Sequence, residues 1–146
     1  MSSAHLSRKI MSSVFAVAAA VLATGCAASS GPASGSIGHA SITERASASG
    51  ETIHVQPGDR VTLILASTYW RIGGSSAPGV LRPDAPAVTR PVPSGCVPGQ
   101  GCGSVRQSFT AMAAGTAVLT AHRDSCGEAL RCTGSQGDFR LVVAVG

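Results

Sequence analysis

Apolar and polar residues alternate along several stretches in the last two thirds of this chain of 146 residues. The clearest case is the C-terminal stretch, in which Phe139, Leu141, Val143 and Val145 share one face. A period of two is typical of a strand with one buried face, and no stretch beyond the N-terminal segment keeps a helical period. The pattern therefore predicts an all-β sandwich of about seven short strands. The other predicted inward residues are Val61, Leu63, Leu65, Val105, Phe109, Ala111, Ala117, Leu119 and Ala121.

Turn residues separate the predicted strands. Gln56-Pro57-Gly58-Asp59 is a turn signal, and we expect Asp59 to cap that turn. The proline-rich segment 73–95 is unsuited to regular pairing, because proline lacks the N–H that a ladder needs. It is expected to be an irregular crossover with a short strand near Val80.

The N-terminal segment has the features of an export signal. Arg8 and Lys9 precede an apolar run, residues 14–23, that is too short to span a bilayer. The run ends in Leu22-Ala23-Thr24-Gly25-Cys26, which resembles a bacterial lipobox. We therefore predict a lipoprotein signal peptide over residues 1–25. Cys26 is the predicted lipidation site, and an ordinary secretory signal is the alternative.

The predicted signal defines the remaining organisation of the chain. Residues 26–38 are rich in Ser, Gly, Pro and Ala and form a predicted flexible tether that follows the lipidated cysteine. Residues 39–146 form the predicted β-sandwich domain. This arrangement would anchor the protein by lipid to the extracytoplasmic face of the cell membrane.

Four further cysteines occur as two pairs of identical spacing, Cys96 with Cys102 and Cys126 with Cys132. Export to an oxidising compartment predicts two disulfides, for which three pairings are possible. We favour Cys96–Cys102 and Cys126–Cys132, because turn residues lie inside each pair; cross-linking between the two loops is the alternative. The spacing is too wide for a usual zinc site, and there is no Cys-x-x-Cys redox motif, so no metal or cofactor is predicted.

Charge and motifs argue against several functions. Nine arginines remain after the signal and are scattered along the sequence without interleaved aromatic residues, so nucleic-acid binding is not predicted. There is no Gly-x-Ser-x-Gly motif and no phosphate-binding glycine loop, and we predict no catalytic residue. His54 and His122 are expected to be surface or edge residues. We expect a monomer that is not an enzyme.

Several stretches of the predicted domain match the pattern of a known family. They are Val55-Gln-Pro-Gly-Asp-Arg-Val-Thr-Leu, then Tyr69-Trp70, and Phe109-Thr-Ala-Met-Ala-Ala-Gly-Thr-Ala-Val-Leu-Thr-Ala, followed by Arg123 and the terminal strand. In these stretches the chain resembles the chagasin family of cysteine-protease inhibitors. The resemblance implies an immunoglobulin-like sandwich in which three loops at one end plug a papain-type cleft. It implies binding residues at Thr68, Tyr69, Trp70, Gly101, Gly103 and Arg123.

The inhibitory motifs of that family are mostly missing. Where the family has an Asn-Pro-Thr-Thr-Gly loop, Ala66-Ser67-Thr68 runs directly into Tyr69-Trp70, as if the loop were deleted. Gly101-Cys-Gly-Ser matches its Gly-x-Gly-Gly at two glycines, and only Arg123 remains of its Arg-Pro-aromatic motif. We therefore predict a non-enzymatic binding module. An inhibitor of papain-like proteases with divergent loops and a structural cell-envelope protein are the alternatives. Trp70, the only tryptophan, is expected in the core rather than against a ligand.

Overall fold

The alternating stretches form the strands of a β-sandwich. The structure is a computed structural model that describes residues 38–92 and 94–146, so the predicted signal, lipidation site and most of the tether lie outside the described residues. The strands are β1 (Ser41–Glu44), β2 (Thr52–Val55), β3 (Arg60–Ala66), β4 (Arg71–Ser75), β5 (Leu81–Pro83), β6 (Val88–Pro91), β7 (Gly103–Ala111), β8 (Gly115–His122), β9 (Ser125–Gly127), β10 (Leu130–Arg131) and β11 (Asp138–Val145). Short 3₁₀ helices occupy Ala46–Ala48 and Gly134–Gly137.

Two sheets and one small hairpin contain these strands. The five-stranded sheet has the order β1-β3-β7-β5, with β6 also paired to β7, and the four-stranded sheet has the order β2-β11-β8-β4. The short strands β1 and β2 join their sheets in parallel, whereas the other pairings are antiparallel. β9 and β10 form the separate hairpin. The described residues thus place nine strands in the two sheets rather than about seven, because β1 and β6 add short edge pairings; β5 is the short strand that was expected near Val80.

The core lies between the two sheets and confirms the predicted alternation. Every predicted inward residue is buried, and Val61 on β3 lies opposite Phe109 on β7 with both fully inaccessible. Leu119 and Leu141 form the equivalent pair on β8 and β11. Burying a side chain of this size contributes about 1.5–3 kcal/mol, so these pairs account for much of the stability of a domain with few aromatic residues.

The turn at one end of the sandwich is fixed by Asp59. Its carboxylate accepts hydrogen bonds from the backbone N–H groups of Gln56 at 2.8 Å and of Ala40 at 2.7 Å. It therefore closes the β2–β3 turn, as predicted, and also attaches the chain that leads into β1. We call this end, with the turns at residues 56–59 and 112–114, the turn end.

The described residues contain their own core. The buried hydrophobic residues of this core all lie between Ala48 and Val145, and they form one cluster. A segment with a complete core can fold alone, so residues 38–146 form a self-sufficient unit. Within the described residues, no helix is long and apolar enough to cross a membrane.

Candidate binding site

Three loops meet at the end opposite the turn end, which we call the loop end. Loop A (residues 67–70) joins β3 to β4, and loop B (residues 94–102) leads into β7. Loop C (residues 123–137) joins β8 to β11 and contains the β9–β10 hairpin. Because β3 and β8 end here and β7 and β11 begin here, all the sequence-predicted binding residues are brought to this end.

Loop A is joined to loop B by main-chain and side-chain hydrogen bonds. The N–H of Thr68 donates to the carbonyl of Gly101 at 2.8 Å, and the hydroxyl of Tyr69 donates to the carbonyl of Gly99 at 2.7 Å. The Tyr69 ring also lies directly against Gly101, where a Cβ would be only 2.6 Å from the ring. Gly101 has a φ of +63°, so glycine is required there for both conformation and space. Tyr69 therefore acts as a strut that holds loop B in place.

Each cysteine pair closes within one loop. Cys96 is bonded to Cys102 in loop B with a Cα–Cα distance of 5.9 Å, and Cys126 is bonded to Cys132 in loop C with a distance of 4.9 Å. The two closed loops also touch each other, because a Cβ on Gly99 would lie 2.9 Å from Cγ of Glu128. The loop end is thus braced within each loop and between neighbouring loops.

Trp70 and Arg123 connect loop A to loop C. Trp70 is only 6% exposed and donates from Nε1 to the carbonyl of Ala66 at 3.0 Å. The guanidinium of Arg123 lies 4.6 Å from the centre of the Trp70 ring, and its Nε donates to the carbonyl of Gln136 at 3.2 Å. Trp70 therefore belongs to the core, as expected from its size, and its ring does not offer a contact surface. Arg123 is half-buried and held in place by a cation–π contact.

Thr68 and Gly103 lie in contact with each other at the base of the loop end, where β7 begins. The φ of Gly103 is +129°, and a Cβ there would meet the carbonyl oxygen of Arg90, the Cα of Pro91 at 2.8 Å and Cγ2 of Thr68 at 2.9 Å. Both residues are half-buried. Their place in the loop end is therefore mainly structural, since they set how closely β6 and loop A approach β7.

A charged network borders loop C. His122 lies between two carboxylates, with Nδ1 2.9 Å from Asp138 and Nε2 2.9 Å from Asp124. These hydrogen bonds, first to Asp138 and then to Asp124, raise the pKa of His122. The hydrogen bond from His122 and then its charge lower the pKa of Asp124, which Arg71 also contacts at 3.4 Å. The network is exposed, so it is a surface feature that sequence spacing did not indicate.

Exposed apolar side chains are concentrated at the loop end. Val92 precedes loop B, Val97 lies within it, and Leu130 lies in loop C, with 52%, 50% and 59% of their surfaces exposed. A cleft of about 540 Å³ lies beside Leu130 and is lined by loop C residues, including Asp124 and Arg131. These residues could not be identified from the sequence, because single aliphatic residues in loops have no periodicity. The one signal for Val97 and Leu130 is their position between paired cysteines, and Val92 has no such signal.

The chemistry of the loop end is that of a contact surface. Among the described residues, no group of three or more His, Cys, Asp and Glu side chains is placed to hold a metal ion. The four cysteines of loops B and C are in disulfides, so none of them is a free nucleophile. Rigid loops with exposed apolar side chains can contact another protein, and this is the activity that the geometry supports.

Known proteins resemble this chain in fold rather than in sequence. No protein-family model and no curated protein matches the chain. The solved structure of the cysteine protease inhibitor EhICP2 from Entamoeba histolytica is similar, with a TM-score of 0.53 and 16% identity. The match covers 74% of this chain and 97% of the inhibitor. Amebosin matches with a TM-score of 0.45 and 19% identity, over 75% of this chain and 99% of amebosin. The likeness to the inhibitor supports an all-β, immunoglobulin-like sandwich for this chain, the fold that the chagasin resemblance implied.

Proposed function

We propose that residues 38–146 form a protein-binding module whose loop end blocks the cleft of a papain-like cysteine protease. The observation that carries the proposal is the braced loop end itself, with two disulfides and the Tyr69 strut fixing three loops together. It occurs on a fold shared with a cysteine protease inhibitor.

Rigidity is the first property that supports binding. Association costs roughly 0.5–1.5 kcal/mol for each flexible side chain that becomes fixed, and loops add to this cost when they must be ordered. Disulfides Cys96–Cys102 and Cys126–Cys132 fix loops B and C before any partner arrives. A loop held in this way also resists adopting the extended conformation that a protease needs for cleavage.

The exposed apolar residues are the second property. Val92, Val97 and Leu130 are three of the five large hydrophobic side chains that are exposed in the described residues. The centre of a protein–protein interface is more apolar than the rest of a surface, so these residues are suited to the centre of a contact. Arg123 and Arg131 would lie at its polar edge. Blocking of this kind needs no covalent step and no cofactor.

The location is a further part of the proposal. We propose that Cys26 carries the lipid and that the module lies on the extracytoplasmic face of the membrane. Detergent-phase partitioning of the expressed protein tests this point, and we expect the wild type in the detergent phase and Cys26→Ala in the aqueous phase. A wild type that stays in the aqueous phase contradicts the lipid anchor without affecting the inhibitor proposal.

Inhibition of a papain-like protease by the purified protein tests the binding function. Val97→Asp and Leu130→Asp each place a charge in the proposed contact, and each should weaken inhibition by at least about tenfold, or 1.4 kcal/mol. Met112→Asp is the matched control, because Met112 is also an exposed apolar residue, 42% accessible, but lies at the turn end. It should inhibit as the wild type does. Absence of inhibition at micromolar concentration by the folded protein contradicts the protease as partner.

A further inference from the structure

Four arginines that are scattered in sequence lie together on the outer face of the five-stranded sheet. Arg60 on β3 and Arg82 on β5 both pair with Thr110 of β7, while Arg90 on β6 pairs with Ser104 of β7. Arg106 lies on β7 between Ser104 and Thr110. Because side chains alternate along a strand, Arg106 is on the same face as these two residues. All four are exposed. We call these four residues the arginine face.

Little negative charge balances the arginine face. Asp84 is the one acidic residue beside it, and its Oδ2 lies 3.1 Å from Nε of Arg60 while its Oδ1 accepts a hydrogen bond from Thr110 at 2.6 Å. The other three arginines form no ion pair with another described residue. Four positive charges less one negative charge leave +3 on this face. The rest of residues 38–146 has five arginines and six acidic residues, or −1.

A groove runs along the same face. Its volume is about 330 Å³, and Arg60, Arg90 and Arg106 line it together with Pro86 and Val88. Val88 is 50% exposed, so an apolar surface lies directly beside the guanidinium groups. Guanidinium groups bind phosphate oxygens through paired hydrogen bonds, and the apolar strip fits the base of a phospholipid headgroup.

The predicted tether connects to this sheet. Ser41, the first residue of β1, pairs with Arg60, and the tether of residues 26–38 ends just before it. Thirteen residues span at most about 45 Å, so a lipid on Cys26 would keep the domain, and with it the arginine face, within reach of the bilayer surface. The loop end lies at the ends of the strands rather than on their outer face. It therefore stays accessible when this face is covered.

We propose that the arginine face binds the phosphate headgroups of an anionic phospholipid surface and orients the module on the membrane. The choice of a membrane as the occupant rests on the tether proposed above. The binding itself belongs to the described domain and does not require the lipid on Cys26. Each arginine close to an anionic surface contributes about a fivefold increase in partitioning.

Co-sedimentation of residues 38–146 with vesicles tests this proposal without the anchor. The vesicles are equimolar phosphatidylglycerol and phosphatidylcholine, or phosphatidylcholine alone, at about 0.1 M salt, where the Debye length is about 10 Å. We expect binding to the anionic vesicles only. The triple variant Arg82→Gln, Arg90→Gln, Arg106→Gln should lower partitioning by roughly 100-fold. Replacement of these three arginines leaves the Arg60–Asp84 ion pair intact.

The matched control changes the same net charge elsewhere. The triple variant Arg45→Gln, Arg131→Gln, Arg140→Gln should keep most of the binding, because these residues lie outside the arginine face. Equal losses in both triple variants would mean attraction by net charge alone and overturn the proposal, as would no binding to anionic vesicles. Displacement by millimolar inorganic phosphate, or equal affinity for a DNA duplex, would overturn the assignment to lipid. Protease inhibition by the wild type and by the arginine-face triple variant, which leaves loops A, B and C unchanged, shows separately whether the proposed function of the loop end holds.

Discussion

The two ends of the sandwich are held in different ways. At the turn end, short turns are closed by backbone hydrogen bonds, such as that from Gly58 to Ala111 at 2.7 Å, and by the carboxylate of Asp59. At the loop end, longer loops are held by two disulfides, the Tyr69 strut and the Arg123–Trp70 contact. A tight turn satisfies its own polar groups, whereas a long loop must be ordered by added contacts. The loop end is therefore the region whose shape depends on added contacts, and a fixed shape there is what the proposed binding function requires.

The largest expected effect on the free energy of unfolding comes from Gly103, which lets β6 and loop A lie close to β7. Gly103→Ala should destabilise the domain by about 3 kcal/mol, because its Cβ would meet the backbone of Arg90 and Pro91 at a φ unfavourable to alanine. Gly95→Ala is the matched control, since its φ of +74° is also positive but nothing lies within 4 Å of the added Cβ. It should cost only about 1 kcal/mol. Equal losses in urea denaturation would show that Gly103 is not a packing constraint.

Removing the loop B disulfide should have the next largest effect. Cys96→Ser with Cys102→Ser should lower the free energy of unfolding by about 2 kcal/mol, because the denatured chain regains the freedom of a short closed loop. Hydrogen exchange should become faster at Thr68, whose N–H is bonded to Gly101, and the increase should be larger there than at Gly58, where only global unfolding adds to the rate. A uniform increase at both ends would contradict the difference between them. Reduction of the wild type opens both disulfides and should therefore have a larger effect, whereas a variant without these four cysteines should not respond to reductant.

Loss of the Tyr69 hydroxyl should have a smaller effect. Tyr69→Phe removes the hydrogen bond to the carbonyl of Gly99 and should cost about 1 kcal/mol in urea denaturation. The same substitution should cost less in the variant that lacks the loop B disulfide, because the strut then holds a loop that is no longer fixed. Strict additivity of the two changes would mean that Tyr69 does not position loop B.

The smallest expected effects are on the pH dependence of stability. The contribution from the turn end is lost as pH falls, whereas the contribution of His122 at the loop end is lost as pH rises. Hydrogen bonds from the N–H groups of Gln56 and then Ala40 lower the pKa of Asp59 at the turn end. Its contribution is therefore present above its unfolded pKa of 3.8 and is lost as pH falls through the lower folded pKa. His122 at the loop end has a raised pKa, so its contribution is present below 6.5 and is lost as pH rises through the folded pKa.

Denaturation midpoints measured against pH separate the two contributions. Asp59→Asn should flatten the acid side of the profile only. His122→Gln should flatten the region above pH 6.5 and also reduce the part of the acid side that comes from Asp124, because His122 lowers the pKa of Asp124. An unchanged profile above pH 6.5 in His122→Gln would contradict the assignment of that region to the loop end.

The regular strands could be predicted from sequence, whereas the contacts between loops could not. Phe139, Leu141 and Val143 are buried because alternation within one strand is enough to indicate an inward face. β5 and β6 are only three and four residues long and contain proline, so their pairing depends on β7 rather than on their own pattern. Tyr69 contacts Gly99 across 30 positions, and no local signal indicates such a contact.

The arginine face is a clearer example of a feature that could not be predicted from the sequence. Its four residues are spread from position 60 to position 106, so in sequence they are isolated charges. The register of β3, β5 and β6 against β7 brings them onto one surface. Paired cysteines marked loops B and C in the sequence, and the chagasin resemblance indicated the candidate residues of all three loops. The role of each residue depended on contacts that only the fold creates.

The most direct test of the account is protection of a protease thiol. After removal of the activating reductant, the alkylation rate of the active-site cysteine of a papain-like protease is measured with and without saturating amounts of residues 38–146. The four cysteines of this fragment are in disulfides and do not consume the alkylating reagent. The account predicts that alkylation slows with the wild type and with Met112→Asp, and much less with Val97→Asp at the same concentration. An unchanged alkylation rate in a complex shown to be saturated would contradict the claim that the loop end blocks the cleft.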